Sequence, residues 1–212
     1  FDNQDRIELP IYSQYNNDFN FNVNLILQET NHHYFYDSYV GPKIGYNVWE
    51  STKQPENFFK KWCEFDQLWV PTKWQAKKTI EQGADPNKVK IIPEGVDIET
   101  FYPDNNIQLE EYDGRFKFVV FGKWEYRKST TEIIKTFLKT FDPSEPVDLV
   151  LSVDNIYGEH LDGCKTTEDR IKKNNIPSDP RLKFKSFVSG EDYIKYLKKG
   201  HVFLSCSRSE GW

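Results

Sequence analysis

The stretch Phe116-Lys-Phe-Val-Val-Phe-Gly-Lys-Trp-Glu-Tyr-Arg-Lys128 decides how this chain is interpreted. A β-rich apolar run is followed by Gly122, by lysines at positions 123 and 128, and by a helix-like segment at 129–141. A strand, a turn and a helix start present free backbone N–H groups and a partial positive charge, so a diphosphate could bind there. The alternative is a solvated basic turn on an α/β domain, because one glycine-plus-lysine turn is a weak signal.

The sequence on both sides of this stretch alternates between short apolar runs and helical segments. Such alternation is typical of a mostly parallel sheet with helices on its faces. We predict strands at 21–27, 43–49, 67–70, 89–92, 116–121, 147–153, 182–187 and 202–205, and helices at 55–64, 72–82, 130–141, 166–174 and 191–199. Thr72 is expected to cap the second of these helices and Gly83 to end it.

Residues 103–114 interrupt the alternation. They are polar and acidic and have no hydrophobic period, which is typical of a linker. We therefore expect an α/β protein with two doubly wound, Rossmann-like domains at 1–103 and 115–212, joined by a linker at 104–114. One continuous Rossmann-like sheet is the alternative. In either arrangement, ligands bind beyond the carboxyl ends of the strands.

Composition argues against several classes of protein. The formal net charge of −5 disfavours a general nucleic-acid or membrane-surface binder, so phosphate recognition must come from a local basic patch. No stretch approaches the about 20 apolar residues that a membrane span needs. Cys63, Cys164 and Cys206 lack metal-ligand spacing, and we interpret them as reduced thiols of a cytoplasmic protein.

Four motifs follow one another in a specific order. Together they resemble the family 4 glycosyltransferases, which have the GT-B fold of two Rossmann-like domains, and the resemblance covers about residues 45–212. The motifs are Leu68-Trp-Val-Pro-Thr-Lys-Trp74, then Val89-Lys-Ile-Ile-Pro-Glu-Gly-Val-Asp97 with Phe101 and Pro103, then Gly122-Lys-Trp-Glu-Tyr-Arg-Lys128, and finally Ser205-Cys-Ser-Arg-Ser-Glu-Gly-Trp212.

The resemblance implies transfer of a hexose-type sugar from a UDP- or GDP-linked donor to a glycan or related acceptor. It also implies retention of anomeric configuration, with no obligatory metal or other cofactor. A nucleotide-sugar epimerase shares the GT-B architecture, although the order of the motifs argues against it. A non-catalytic module that binds a nucleotide sugar or carbohydrate is the third possibility.

The ends of the chain suggest a piece of a longer protein. The sequence begins at Phe1, contains no methionine, and stops at Trp212 within a loop that is rich in active-site residues in the family. We therefore expect both GT-B domains to be incomplete here and the piece itself to be a poor catalyst. An exposed sheet edge would then allow dimerisation.

Lys123 and Lys128 match the two cationic positions that hold the donor diphosphate in the family. A fixed cation pair beside a helix start compensates the charge of a leaving diphosphate without a metal. The chain departs from the family pattern at two places. Lysine stands at position 123 where arginine is more common, and Ser129 replaces a glycine. Arg127 is interpreted as part of a solvated turn.

Other donor contacts are implied by the same resemblance. Glu210 matches a glutamate that hydrogen-bonds the donor sugar, and a carboxylate suits this role because it accepts strongly from hydroxyl groups. Gly211 would let the backbone approach the sugar closely. Phe187 and Val188 match the segment that lies against the nucleobase, with core packing as the alternative.

The acceptor side has weaker candidates. Glu50 follows a predicted strand and could act as a catalytic base or orient the acceptor hydroxyl, with a surface or interdomain ion pair as the alternative. His32 and His33 are candidates for acceptor contact. Their spacing does not match a zinc motif, so no metal site is predicted.

Two further patterns have structural interpretations. In the motif Gly95-Val96-Asp97, the glycine is expected to permit an unusual turn and the aspartate to cap local backbone. Four tryptophans could suggest sugar stacking, but at least two of them lie at strand or helix positions that should face a core, so core packing is the default interpretation. They are Trp49, Trp62, Trp69 and Trp74.

Overall fold

The computed structural model describes residues 23–27, 40–102, 113–186 and 190–210. They form two compact units, an N-terminal one that extends to Val96 and a C-terminal one that spans Asp97–Arg208. The predicted linker at 104–114 lies almost entirely outside the described residues. The predicted domain boundaries therefore stay a prediction.

The N-terminal unit contains one parallel sheet of four described strands in the order β1-β2-β3-β4. Two helices connect the later strands. The elements are β1 (Asn24–Leu27), β2 (Lys43–Tyr46), α1 (Glu56–Cys63), β3 (Gln67–Val70), α2 (Lys73–Glu81) and β4 (Val89–Ile91).

The core of this unit is built around Trp62. The side chain is fully buried and its indole N–H donates to the carbonyl of Gly45 at 3.0 Å. A Cβ atom at Gly45 would lie 2.6 Å from the indole nitrogen, so only glycine permits this approach of helix α1 to strand β2. Leu68 and Val70 of strand β3 are buried and lie on the same face of the sheet.

Helix α2 begins and ends as its sequence predicts. The hydroxyl of Thr72 accepts a hydrogen bond from the amide of Gln75 at 3.1 Å, which satisfies one of the free donors of the first turn. Gly83 has a φ of 116°, the left-handed conformation that commonly ends a helix.

The C-terminal unit contains a second parallel sheet, with strand order β7-β6-β5-β8. Its helices α3 to α6 separate the strands along the chain. The elements are β5 (Phe116–Phe121), a 3-10 turn (Tyr126–Lys128), α3 (Thr130–Thr140), β6 (Val147–Ser152), α4 (Gly158–Asp162), α5 (Thr167–Lys173), β7 (Leu182–Phe184), α6 (Gly190–Lys199) and β8 (Val202–Phe203).

This strand order creates a topological switch point between β5 and β8. The chain runs outward from β5 through β6 to β7, and then returns to add β8 on the other side of β5. Connections that leave neighbouring strands in opposite directions open a crevice at the carboxyl ends, where α/β proteins bind ligands. The turn after β5 and the segment after β8 both begin there.

The α/β fold predicted from the sequence is confirmed, and the single continuous sheet is wrong because the described strands form two separate sheets. Predicted strands end earlier than expected: the segment at 43–49 pairs only to Tyr46, and that at 182–187 only to Phe184. Helix α4 was not predicted, because five residues that begin with a glycine carry no usable period.

Two further sequence predictions concern the cysteines and the absence of a membrane span. Cys63, Cys164 and Cys206 are free thiols, as predicted. Burial raises the pKa of Cys63, although the nearby Lys88 opposes this. No helix within the described ranges is long and apolar enough to cross a membrane.

Candidate functional site

The turn after strand β5 is shaped by a glycine. Gly122 has a φ of 136°, which side-chain-bearing residues rarely adopt. Its amide donates to the carbonyl of Ser152 at 3.1 Å, and the amide of Trp124 donates to the carbonyl of Val153 at 2.8 Å. The turn therefore stays bonded to the end of the neighbouring strand β6 instead of moving freely in solvent.

Trp124 holds this turn against the core. Its side chain is only 3% exposed and lies parallel to the ring of Phe184, with centroids 6.1 Å apart. The indole N–H donates to the hydroxyl of Thr131, in the first turn of helix α3, at 2.9 Å. The preceding residue, Lys123, is exposed, and its ammonium lies 4.5 Å from the ring centroid of Tyr157.

Helix α3 starts without a side-chain cap. Ser129 stands at its N-cap with a left-handed backbone, φ 55° and ψ 29°, and its hydroxyl makes no capping hydrogen bond. A left-handed position explains why the resembling family has glycine there. Because no cap hydroxyl uses the first N–H groups of α3, they and the partial positive charge of the helix remain suited to an anion.

The 3-10 turn brings the second predicted cation to the same place. Lys128 is its last residue and is half-buried, immediately before Ser129. Arg127, which we expected to be solvated, pairs with Glu125 at 3.1 Å and is one-third exposed, so it is a structural part of the turn. Lys123 and Lys128 thus both lie on the connection from β5 to α3; that they bind phosphate stays a prediction.

The segment after β8 is joined to this connection by Arg208. Its amide donates to the carbonyl of Arg127 at 2.8 Å, and its guanidinium donates to the carbonyl of Tyr126 at 3.2 Å and pairs with Glu132 at 3.1 Å. The guanidinium also lies 4.2 Å from the ring centroid of Tyr126. Sequence reasoning missed Arg208, because its partners are about 80 positions away and no local pattern marks them.

The connection that follows β6 is held by a buried guanidinium. Arg170 is fully buried, and it pairs with Asp162 at 3.0 Å while donating to the carbonyls of Cys164 and Thr166 at 2.8 and 3.1 Å. Burial raises the pKa of Asp162, but the Cys164 amide and the Arg170 guanidinium outweigh it and lower that pKa below its ordinary value. Asp162 is therefore ionised at neutral pH and neutralises the buried charge.

Glu50 is exposed in the N-terminal unit, four residues beyond the end of β2. The backbone beside it is well held: the amide of Trp49 donates to the side chain of Gln75 at 3.2 Å, and Gln75 donates to the carbonyl of Asn47 at 2.8 Å. The catalytic or orienting role of Glu50 stays a prediction.

Glu210 is exposed and lies two residues beyond Arg208. Its role in binding the donor sugar stays a prediction. The remaining predicted site residues lie outside the described residues, and their assignments also stay predictions: Gly211 for the donor sugar, Phe187 and Val188 for the nucleobase, and His32 and His33 for the acceptor.

The Gly95-Val96-Asp97 motif agrees with one of its two predictions. The carboxylate of Asp97 accepts from the amides of Glu99 and Thr100 at 3.0 and 3.2 Å, so the capping role is confirmed. Hydrogen bonds from the Thr100 hydroxyl and these amides lower the pKa of Asp97. The unusual turn at Gly95 is wrong, because its φ lies outside the left-handed region that would require glycine.

The four tryptophans considered for sugar stacking have three different environments. Trp62 lies in the core as predicted, whereas Trp74 is 44% exposed, so core packing is the wrong interpretation for Trp74. Trp49 and Trp69 are half-buried, and their indole N–H groups donate to Ser51 and Gln67. Across the described part of the chain, no group of three or more His, Cys, Asp or Glu side chains could hold a metal ion.

No protein-family model matches this sequence, and a comparison with curated proteins finds no match. Solved structures do match. Anabaena Alr3699/HepE, in complex with UDP and glucose, is similar with a TM-score of 0.65 at 14% identity, over 88% of this chain and 53% of that one.

Two further structures have the same architecture. The α,α-trehalose 6-phosphate synthase of Burkholderia multivorans matches with a TM-score of 0.63 at 12% identity, over 89% of this chain and 51% of its own. The lipopolysaccharide outer core galactosyltransferase WaaB matches with a TM-score of 0.59 at 11% identity, over 90% and 51%. The chain therefore has the GT-B fold and spans about half the length of these proteins.

Proposed function

We propose that this chain is part of a glycosyltransferase similar to family 4, which moves a hexose-type sugar from a UDP- or GDP-linked donor to a glycan or related acceptor with retention. One observation carries the proposal. The uncapped start of helix α3, with Lys123 and Lys128 on the connection before it, lies at the switch point between β5 and β8. The similar Anabaena protein was solved with UDP-glucose, which favours a uridine donor.

The proposed chemistry follows from charge. Transfer of the sugar leaves a nucleoside diphosphate, and negative charge develops on the oxygen that departs with it. Two ammonium groups and the first N–H groups of α3 stabilise that charge more in the transition state than in the ground state, which accelerates the reaction. No metal or other cofactor is required for this step. The donor phosphate accepts the proton of the acceptor hydroxyl.

The other predicted residues complete the proposal. Glu210 and Gly211 bind the donor sugar, and Phe187 with Val188 lies against the base. Glu50 orients the acceptor hydroxyl or shares with the donor phosphate in accepting its proton. His32 and His33 contact the acceptor. We place the reaction in the cytoplasm, and an exposed sheet edge would allow this chain to dimerise.

A non-catalytic module that binds a nucleotide sugar is the second candidate. The observation in its favour is Ser129, since a side chain in the left-handed conformation at the start of α3 departs from the pattern of active relatives. Turnover separates the two candidates: a glycosyltransferase is expected to release nucleoside diphosphate from the donor only when an acceptor is supplied. Binding without turnover would favour the module.

Calorimetric titration with UDP and with GDP tests the phosphate site directly. The wild type is compared with Lys123→Ala plus Lys128→Ala. The matched control is Lys73→Ala plus Lys77→Ala, which removes two exposed lysines from helix α2, whose start is capped by Thr72. Both double variants change the net charge equally. A difference in nucleotide affinity between them therefore reports on the phosphate site rather than on the overall electrostatic field of the protein.

We expect one nucleotide to bind the wild type and the control alike. The Lys123/Lys128 variant should bind at least about 100-fold more weakly, because each charge-assisted contact to phosphate contributes about 1.5–3 kcal/mol. Equal losses in the two double variants would show a diffuse electrostatic effect and contradict the proposed site. Absence of binding by the folded wild type to either nucleotide would contradict the proposed function.

A further inference from the structure

We infer that Tyr157 is a positioning residue for the Lys123 ammonium, and that it compensates for lysine standing where the resembling family more often has arginine. The inference rests on the proposed function, because the ammonium has a ligand to meet only if a diphosphate binds beside α3. Tyr157 belongs to the connection between β6 and α4, which the sequence did not single out.

The ring and the ammonium are in contact. The Nζ atom of Lys123 lies 4.5 Å from the ring centroid of Tyr157, within the about 6 Å over which the face of an aromatic ring attracts a cation. Among the described residues no carboxylate pairs with this ammonium, so the charge of Lys123 is oriented by a ring and not neutralised. An oriented, un-neutralised cation is what an incoming phosphate requires.

The two sides of this contact are joined by Asn155. Its side chain is buried, its Oδ1 atom accepts from the amide of Tyr157 at 3.0 Å, and its Nδ2 donates to the carbonyl of Trp124 at 3.1 Å. Trp124 follows Lys123 directly in the chain. A single buried side-chain amide therefore fixes the backbone of Tyr157, after strand β6, and of Trp124, the neighbour of Lys123 after strand β5.

Arg170 supports the same turn from within. Its Nη2 atom lies 3.5 Å from the carbonyl of Asn155. A Cβ atom at Gly158 would lie 1.4 Å from that nitrogen, so Gly158 must be glycine for the turn to pack on the guanidinium. The turn that carries Tyr157 is thus held by a buried charge, whereas Tyr157 itself is 53% exposed at the surface.

The contact with Tyr157 lowers the entropy cost of ordering the Lys123 side chain on a phosphate. A lysine side chain is flexible, and ordering it on a phosphate costs binding free energy, whereas the planar fork of arginine is already pre-organised. The Tyr157 ring restricts the Lys123 side chain before the ligand arrives, so less freedom is lost on binding. The pair therefore does with two residues part of what a single arginine does in the resembling family.

Titrations of the folded chain with UDP, or with GDP if the wild type binds only GDP, test the inference. Tyr157→Leu is expected to weaken binding by about two- to five-fold, the size of a cation–π contact near a surface, whereas Tyr157→Phe keeps the ring and the affinity. Tyr102→Leu is the matched control. Tyr102 is 49% exposed and has the Lys198 ammonium 4.0 Å from its ring centroid, but it lies outside the connections after β5 and β6.

A double-mutant cycle separates positioning from direct contact with the nucleotide. If Tyr157 acts through Lys123, the Tyr157→Leu change has no further effect on UDP affinity in a Lys123→Ala background. An equal loss in both backgrounds would mean that the ring stacks on the ligand itself, and would overturn the inference. So would wild-type affinity in Tyr157→Leu, or the same loss in Tyr102→Leu.

Failure of the inference and failure of the proposed function give different results. Suppose that the wild type binds UDP and that Lys123→Ala weakens this binding while Tyr157→Leu does not. The phosphate site is then supported and the positioning role of Tyr157 is contradicted. If the folded wild type binds no nucleoside diphosphate, the proposed function falls and the positioning role falls with it.

Discussion

The dipeptide Lys-Trp occurs three times in this chain, and two of the three copies come just after a parallel strand and close to a helix start. Lys73-Trp74 follows strand β3 in the N-terminal unit, and Lys123-Trp124 follows strand β5 in the C-terminal unit. The two tryptophans have opposite environments, since Trp74 is 44% exposed and Trp124 is 3% exposed. The same dipeptide therefore has a different structural environment in each unit.

The difference comes from where the helix starts. Helix α2 begins at Lys73, and Thr72 caps it with a side-chain hydrogen bond, so the protein satisfies its own donor. Helix α3 begins only at Thr130, after a connection that includes a 3-10 turn, and its start has no side-chain cap. A helix start that the protein caps serves stability, whereas one that it leaves uncapped is suited to a ligand.

The largest expected difference in stability is between the alanine variants of Trp124 and Trp74. Trp124→Ala should lower the free energy of unfolding of the C-terminal unit by about 3–5 kcal/mol, because it leaves a cavity beside Phe184 and removes the partner of Thr131. Trp74→Ala should change stability by less than about 1 kcal/mol, because that side chain is already half in solvent. Urea unfolding of both variants measures the contrast. Equal losses would mean that the two turns do not differ as described.

A smaller effect is expected at the capped helix. Thr72→Ala should cost about 1 kcal/mol, because the amide of Gln75 loses its acceptor in the first turn of α2. Thr72→Ser is the control, since serine caps equally well and should stay within about 0.5 kcal/mol of the wild type. Thermal or urea unfolding reports both values. A serine variant as unstable as the alanine one would point to the lost methyl group rather than to the cap.

The smallest expected change in the free energy of unfolding is at the start of the uncapped helix α3, and it is an increase rather than a decrease. Ser129→Gly should stabilise the chain by up to about 1 kcal/mol, because glycine adopts the left-handed conformation without the cost that a Cβ atom imposes. Asn175 has a φ of 52° and is the matched position. Asn175→Gly should have less effect, because asparagine tolerates this conformation better than serine. Destabilisation by Ser129→Gly would show that its side chain contributes something the capping geometry does not reveal.

Much of the fold could be predicted from the sequence because it depends on local pattern. Apolar runs and helical periods located every described strand, and Thr72 and Gly83 marked the two ends of α2. Helix α4 could not be found in this way, because its residues carry no period. The prediction for Gly95 was wrong, because the sequence does not distinguish a glycine that adopts a positive φ from one that does not.

The candidate site could be predicted only in part. Lys123 and Lys128 stood out because a glycine and two lysines separate a strand from a helix, which is a local signal. Tyr157, Asn155 and Arg208 did not, because each acts on a residue at least 30 positions away. Side chains that contact one another across neighbouring strands leave no spacing in the sequence from which their meeting could be inferred.

What the sequence by itself determined is the alternation of strand and helix and the position of the cationic turn after β5, because hydrophobic period and turn chemistry are properties of neighbouring residues. Only the tertiary structure decided the strand order β7-β6-β5-β8, the burial of Trp124, and the contact of Lys123 with Tyr157. These depend on which strands pair and which surfaces exclude water, and free energies of pairing and burial belong to the assembled chain rather than to any segment of it.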